Sequence, residues 1–430
     1  MSAYHSKGKS GRGTKEERPK GTRISNEVAL SLEAIRQRAK EGLLALCVGV
    51  GLNTLEVLFD QELEEKIGEK GKHNPGRKAS RHGHESRPVV LGGREVRVSR
   101  PRARTVDGKE VALESYEMFK NDEILTRHAF ETMLHGLSTR NYAFGLEDVG
   151  DVEASGISKS SISRRFARMT QEALAELMAK PLDGIDLVVL YIDGIVVAEH
   201  TAVCALGIDI DGKKHILGLW EGATENASVC KGLVTNLAER GLKTDGLLVV
   251  IDGSKALRRA VADVLGNDVP VQRCQVHKMR NVLDHLPEEQ RPWVKRKLAA
   301  AWAEPDANMA RKALEALADS LEKNYPGAAA SLREGLEETI TINRLMLTGA
   351  LRRTLRSTNP VESSIEMART TARRVKRWRN GNQVLRWTLA GLQEAERRFR
   401  RVAGYRELPL LRMRLRGELL STTTGEVANA

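Results

Sequence analysis

What this sequence of 430 residues lacks narrows its class before any motif is read. Its four cysteines, Cys47, Cys204, Cys230 and Cys274, are scattered, with no Cys-x-x-Cys pair, which argues against a disulfide framework or a closed tetrahedral zinc site and fits a reducing compartment. Met1 to Lys20 has no apolar core of signal-peptide length, and no later stretch is an uninterrupted apolar run long enough to cross a bilayer. These absences predict a soluble, cytoplasmic protein with no membrane partner. Acidic residues are also in deficit: 69 Lys and Arg stand against 57 Asp and Glu, a net charge of +12. The excess is uneven, because residues 351–406 hold 15 Lys or Arg and only 4 Asp or Glu. Such a stretch is expected to sit against a polyanion, of which nucleic acid is the simplest. The remaining composition, 41% hydrophobic and 29% charged, is that of a globular protein, and the length predicts two to four domains.

The segment 1–25 is basic and poor in apolar residues, so it cannot bury enough surface to offset its ordering entropy and reads as a flexible arm. Residues 26–87 read as an N-terminal helical region, two helices between Glu27 and Glu69, followed by a polar linker from Gly71 to Arg87. Residues 88–180 read as a small β segment, Val89 to Phe119, plus a DNA-binding region. There Gly156-Ile157-Ser158 precedes a helix with Ile162 and Phe166 on one face, like the recognition half of a helix-turn-helix. Lys159, Ser160, Ser161, Arg164 and Arg165 would lie near DNA; an ordinary amphipathic surface helix explains the same pattern equally well.

From Asp186 the character changes. Leu187 to Gly194, Val203 to Ile210 and His215 to Trp220 read as three strands, followed by a helix to Arg240, an apolar strand ending at Asp252-Gly253, a helix over Lys255–Leu265 and a short strand over Val269–Cys274. The predicted class is α/β, a ribonuclease H-like mixed sheet over 185–280, interrupted by an all-helical insertion over 281–355 and completed by basic helices over 356–406, with a tail at 407–430.

Asp193 and Asp252 each follow an apolar run, and both are expected at strand ends, where side chains converge on one crevice. Asp-Gly is also an ordinary turn signal, but two such sites behind two apolar strands are hard to assign to turns alone. A third acid would complete a site for two divalent cations, Mg²⁺ or Mn²⁺, since packed carboxylates repel one another unless such ions neutralise them. Glu362 follows Asn359 and Pro360 in an arrangement that capping alone would explain, with Asn359 as N-cap. Its helical face also carries Glu366, the competing third acid, with Arg369 and Arg373. A basic helix over Arg369–Arg379, with Arg369, Arg373, Arg374, Lys376 and Arg377, is expected to grip phosphates.

With these residues in view, the chain resembles the Mutator-type family of bacterial insertion-sequence transposases. The resemblance spans roughly residues 90 to 405 and rests on Tyr191-Ile192-Asp193-Gly194, Val250-Ile251-Asp252-Gly253, Gln272 to Lys278, and Ser357-Thr358-Asn359-Pro360-Val361-Glu362. It implies that Asp193, Asp252 and Glu362 form a DDE triad that binds the metal ions. It further implies cutting and joining at terminal inverted repeats of double-stranded DNA, by a homodimer or larger homo-oligomer acting at the nucleoid. Cys274 and His277 match a signature the family carries after its second Asp. Two ligands cannot close a zinc site, so a structural or DNA-proximal role is expected for them. The competing readings are a domesticated DNA-binding protein without catalysis and a ribonuclease H-like nuclease.

Overall fold

The computed structural model describes residues 43–417, apart from residues 73–75, 77, 121, 136, 147–153, 198, 223–226, 374 and 376. The expected basic arm, the first part of the N-terminal helical region and the end of the tail lie outside the described residues. The chain forms two compact units, Met1–Leu125 with Leu146–Ile157 and Thr126–Gly145 with Ser158–Ala430.

In the first unit, helix α1 (Leu43–Ile67) packs on a hairpin of β1 (Ala79–Leu91) and β2 (Arg94–Thr105). By length and composition alone α1 could cross a membrane. Its last turns, however, carry Asp60, Glu62, Glu64, Glu65 and Lys66, and its Phe59, Leu63 and Ile67 are buried with Val89, Val96, Val98 and Ala103. It is therefore the core helix of this unit. Most of the expected linker is strand β1: its Ser80, His82, His84, Ser86 and Arg87 occupy exposed positions, and β2 supplies its hydrogen bonds up to Ala79, across a register shift between Arg81 and His84. The end of the expected β segment is helical instead, α2 (Glu114–Phe119). The Glu62 carboxylate accepts the backbone N–H groups of Glu114 (2.7 Å) and Ser115 (3.0 Å), satisfying donors that a helix start leaves open.

Helix α3 (Asp122–Leu134) crosses the border between the units, and strand β3 (Ala154–Ser155) adds to β2. The second unit continues with α4 (Lys159–Ala179), capped by Ser158, whose hydroxyl accepts Ser161 N–H. Its Ile162 and Phe166, predicted on one face, are both buried, and Phe166 stacks on Phe130 and leans on Trp387. Among the described residues the element just before α4 is β3, and α3 ends at Leu134, well before α4 begins at Lys159, so α3 and α4 are not joined by the three- to four-residue turn of a helix-turn-helix.

The centre of this unit is a five-stranded sheet of β4 (Leu187–Val197), β5 (His200–Asp209), β6 (Lys214–Gly222), β7 (Leu248–Ile251) and β8 (Val271–Arg273), in the order β6-β5-β4-β7-β8. The first three strands form an antiparallel meander, and β7 and β8 add in parallel to β4. One face is covered by α5 (Ala227–Glu239) and α6 (Lys255–Leu265), whose Leu233, Leu237, Leu257 and Val261 pack with Leu190, Ile192, Val249 and Ile251. After α7 (Gln275–Leu283) comes a helical region with its own core: α8 (Arg291–Ala303), α9 (Ala307–Glu322), α10 (Pro326–Arg333), α11 (Leu336–Thr339), α12 (Thr341–Arg344) and α13 (Gly349–Leu355). The chain then returns to the sheet as α14 (Asn359–Ala372), α15 (Gly381–Glu396) and α16 (Leu408–Leu415), which cover the other face. An added Cβ on Gly391 would meet the Ala368 backbone at 2.5 Å, so only glycine lets α15 approach α14 this closely.

Candidate active site

Two parallel strands bring two carboxylates to one level of the sheet. β4 and β7 pair in register from Val189 with Leu248 to Ile192 with Ile251, so Asp193 and Asp252 are the next residues on each chain. Side chains alternate along a strand, so Asp193 shares the face of Tyr191 and Ile195, and Asp252 continues the parity of Val250. Those three apolar residues belong to the core layer that also holds Val361 and Ile365 of α14. The third acid, Glu362, sits between these two anchors.

Asp193 is not at a strand end, contrary to expectation. β4 runs on to Val197 because β5 pairs with it throughout, Asp193 with Cys204 and Gly194 with Val203. Asp252 does leave its strand: its Oδ1 accepts Ser254 N–H at 2.8 Å, and Ser254 caps α6. Between them Gly253 has φ +112°, and an added Cβ there would lie 2.1 Å from Nε of Arg273. The Asp252-Gly253 step thus requires glycine for both conformation and space.

Asp193 and Glu362 line one cleft of about 560 Å³, together with His277, Arg280, Glu366 and Arg369. Asp193 is buried, with 7% of its surface exposed, and its Oδ1 accepts Gly194 N–H at 2.9 Å. Burial first, then the neighbouring Asp252 charge, push its carboxyl up to about 7; Glu362 adds to the rise and His277 opposes it. Asp193 therefore feels the charges of both Asp252 and Glu362.

Helix α7 brings a second set of groups to Glu362. Cys274 is its N-cap, and the sulfur accepts His277 N–H at 3.5 Å. His277 Nδ1 lies 3.8 Å from Glu362 Oε1 and 3.4 Å from Thr358 Oγ1, while Thr358 Oγ1 is 3.5 Å from Cys274 Sγ and also hydrogen-bonds Glu362. Interaction with Cys274, aided by Asp193 and Glu362, raises His277 to about 9 against the opposing effect of burial. Burial acts to raise the Cys274 thiol, but hydrogen bonds with His277 and Thr358 outweigh it and hold the thiol below its ordinary value. Cys274 and His277 thus lie at the third acid. Thr358, fully buried behind Glu362, and Arg280, which lines the cleft, are groups that the sequence reading missed; the signal for Thr358 was its place inside the motif that supplies Glu362.

The N-cap of α14 is Thr358, one residue before the predicted Asn359, with Asn359 and Pro360 in the first turn. The competing acid Glu366 also lines the cleft, 3.6 Å from Arg369 and 3.9 Å from Arg373. The expected basic helix over Arg369–Arg379 is broken: α14 ends at Ala372, Arg373 is its C-cap, and Arg377 and Arg379 lie in the irregular stretch before Asn380 caps α15. Arg374 and Lys376 lie outside the described residues. On α4, Lys159, Ser160 and Arg164 are exposed and Ser161 is half-buried, whereas Arg165 turns inward, its Nη1 3.4 Å from Thr126 Oγ1.

The sequence model of the family described as "Transposase, Mutator family" matches residues 24–402. Among curated relatives, the transposase for insertion sequence element ISRM5 of Rhizobium meliloti is 28% identical, covering 77% of this chain and 83% of its own. The transposase for IS6120 of Mycolicibacterium smegmatis is 30% identical over 55% of this chain and 73% of its own. The transposase for IS256 in transposon Tn4001 of Staphylococcus aureus is 27% identical over 73% and 81%.

Proposed function

The chain belongs to the Mutator family of transposases, and from that premise we propose that it binds the terminal inverted repeats of an insertion sequence and cuts and joins DNA with Asp193, Asp252 and Glu362 as its acidic triad. In this reading the five-stranded sheet with its flanking helices is a ribonuclease H-like core, and α8 to α13 are an insertion between the second and third acids. The observation that carries the proposal is geometric: the register of β4 and β7 puts Asp193 and Asp252 at one level of the sheet, and Asp193 and Glu362 line one cleft open to solvent.

An oxygen-rich, mutually repelling cluster fits Mg²⁺ or Mn²⁺, which would be held by the three carboxylates. Two such ions, when bound, supply activation of a water or 3′-hydroxyl and stabilisation of the departing oxygen. The chain's own groups do the positioning. The paired strands fix Asp193 and Asp252 relative to each other. Glu362 is oriented by the Thr358 hydroxyl and by the apolar anchors Val361 and Ile365 on either side. Arg280 and Arg369, both exposed, offer cations to the phosphates of a strand entering the cleft. Pairing two transposon ends calls for at least a dimer.

The test is a labelled duplex carrying the terminal repeat that flanks the gene, incubated with the full chain, Mg²⁺ and a target plasmid. Expected are nicking at the repeat end and covalent joining of the label to the plasmid, both lost in Asp193→Asn. Cleavage without joining would establish the nuclease reading, and DNA binding without any metal-dependent cleavage would establish the inactive binder.

A further inference from the structure

We propose that Cys274, His277 and Glu362 form a second, softer metal site, selective for Zn²⁺-class ions over Mg²⁺, that shares its carboxylate with the acidic triad. Cys274 and His277 alone could not close such a site; the fold supplies the third ligand from a residue 88 positions beyond Cys274. One donor atom from each of the three lies within 4.8 Å of the other two, and His277 Nδ1 is already 3.8 Å from Glu362 Oε1. Bond lengths of about 2.3 Å to sulfur and about 2.0 Å to nitrogen and oxygen place neighbouring tetrahedral ligands roughly 3.3–3.6 Å apart. The three groups thus need to close by at most about 1.5 Å, a movement within reach of side-chain adjustment of His277 and Glu362.

The donor set decides the metal. Thiolate and imidazole select zinc and its neighbours, whereas Mg²⁺ requires oxygen ligands in octahedral array. Cys274 closes the inner side of the set, being fully buried, while His277 and Glu362 line the cleft and leave a fourth position toward solvent. Loading releases to water the protons that the Cys274 thiol and the His277 imidazole hold, so metal uptake acidifies an unbuffered solution. An ion held here engages Glu362, and the acidic triad then lacks its third member until the ion leaves. Zn²⁺ is therefore an antagonist of Mg²⁺ at this cleft.

The proposal uses the same cleft as the transposase reading but does not depend on catalysis, so the two fail separately. Co²⁺ is titrated into the full-length, metal-stripped protein and followed by absorbance. A near-ultraviolet sulfur-to-Co²⁺ charge-transfer band with strong tetrahedral visible bands at one equivalent is expected. Zn²⁺ should abolish these bands and excess Mg²⁺ should leave them. Cys274→Ser should remove the charge-transfer band, and Glu362→Gln, at a half-exposed position, should weaken Co²⁺ binding by about 10–100-fold while the protein stays folded by circular dichroism. A spectrum without the sulfur band, the same band in Cys274→Ser (which would place it on exposed Cys47), or unchanged affinity in Glu362→Gln would each overturn the site.

Discussion

The β1–β2 hairpin and the five-stranded sheet use charge in opposite ways. In the hairpin, charged residues recur along both strands and find partners locally: Arg100 lies 3.0 Å from Glu85, and Arg102 lies 3.2 Å from Glu110. In the sheet, β4 and β7 are buried and apolar until Asp193 and Asp252, where two acids share one level. Charge in a polar strand is satisfied where it stands. Charge in an apolar strand is held at a cost, and that cost makes it a functional-site candidate.

The contrast can be broken most directly at Asp193. Asp193→Asn is expected to lower Mg²⁺-dependent strand cleavage by at least about 1000-fold. Because the carboxylate it removes is buried beside two others, the metal-stripped variant should melt no lower than the parent. A large drop in melting temperature would mean that Asp193 is structural. On the hairpin side, Phe59→Ala removes a ring packed edge-on against Tyr116 at 6.0 Å and should cost about 3–5 kcal/mol in urea unfolding followed by circular dichroism.

A smaller effect is expected at the cleft rim. Arg369→Ala should weaken DNA binding and reduce the slope of log affinity against log salt by about 1, read from binding isotherms at several salt concentrations. Glu62 sharpens the comparison through pH. Burial works to raise its carboxyl, but Lys66, Ser115 and the α2 backbone outweigh burial and lower it to about 2, against an ordinary value of 4.5. Its contribution to stability is therefore complete above pH 4.5 and is lost as pH falls toward 2; Glu62→Gln should flatten unfolding free energy over that window. The smallest change in unfolding free energy is expected for Arg87→Gln, because the Arg87 side chain is half exposed where it meets Glu85 and ion pairs near the surface contribute little.

Periodicity located the helix Lys255–Leu265 to the residue, since an apolar strand, a Ser cap and a terminal glycine all agree there. It ended β4 too early because Asp193-Gly194 reads locally as a turn, while the full-length pairing with β5 that keeps the strand going is a long-range fact. It also missed the start of β1, whose His82, His84 and Glu85 look like linker when the partner strand is unseen. Asp193 and Asp252 were legible as acids behind apolar runs, whereas Glu362 was singled out by the family resemblance. The approach of Cys274 and His277 to Glu362 was not, because no local rule connects positions separated by the whole helical region from Arg291 to Leu355.

The border between the units has a practical consequence for dissection. Residues 126–145 belong to the second unit although residues 146–157 return to the first. Phe130, from the early segment, stacks at 5.6 Å on Phe166 from the later one. A single proteolytic nick or truncation near residue 158 therefore does not release an intact sheet-bearing fragment: it removes Phe130 and the buried Tyr142 and leaves Phe166 without its stacking partner. Isolating that fragment requires a start upstream of Thr126, or a circularly rearranged chain that keeps residues 126–145 with those from 158 onward.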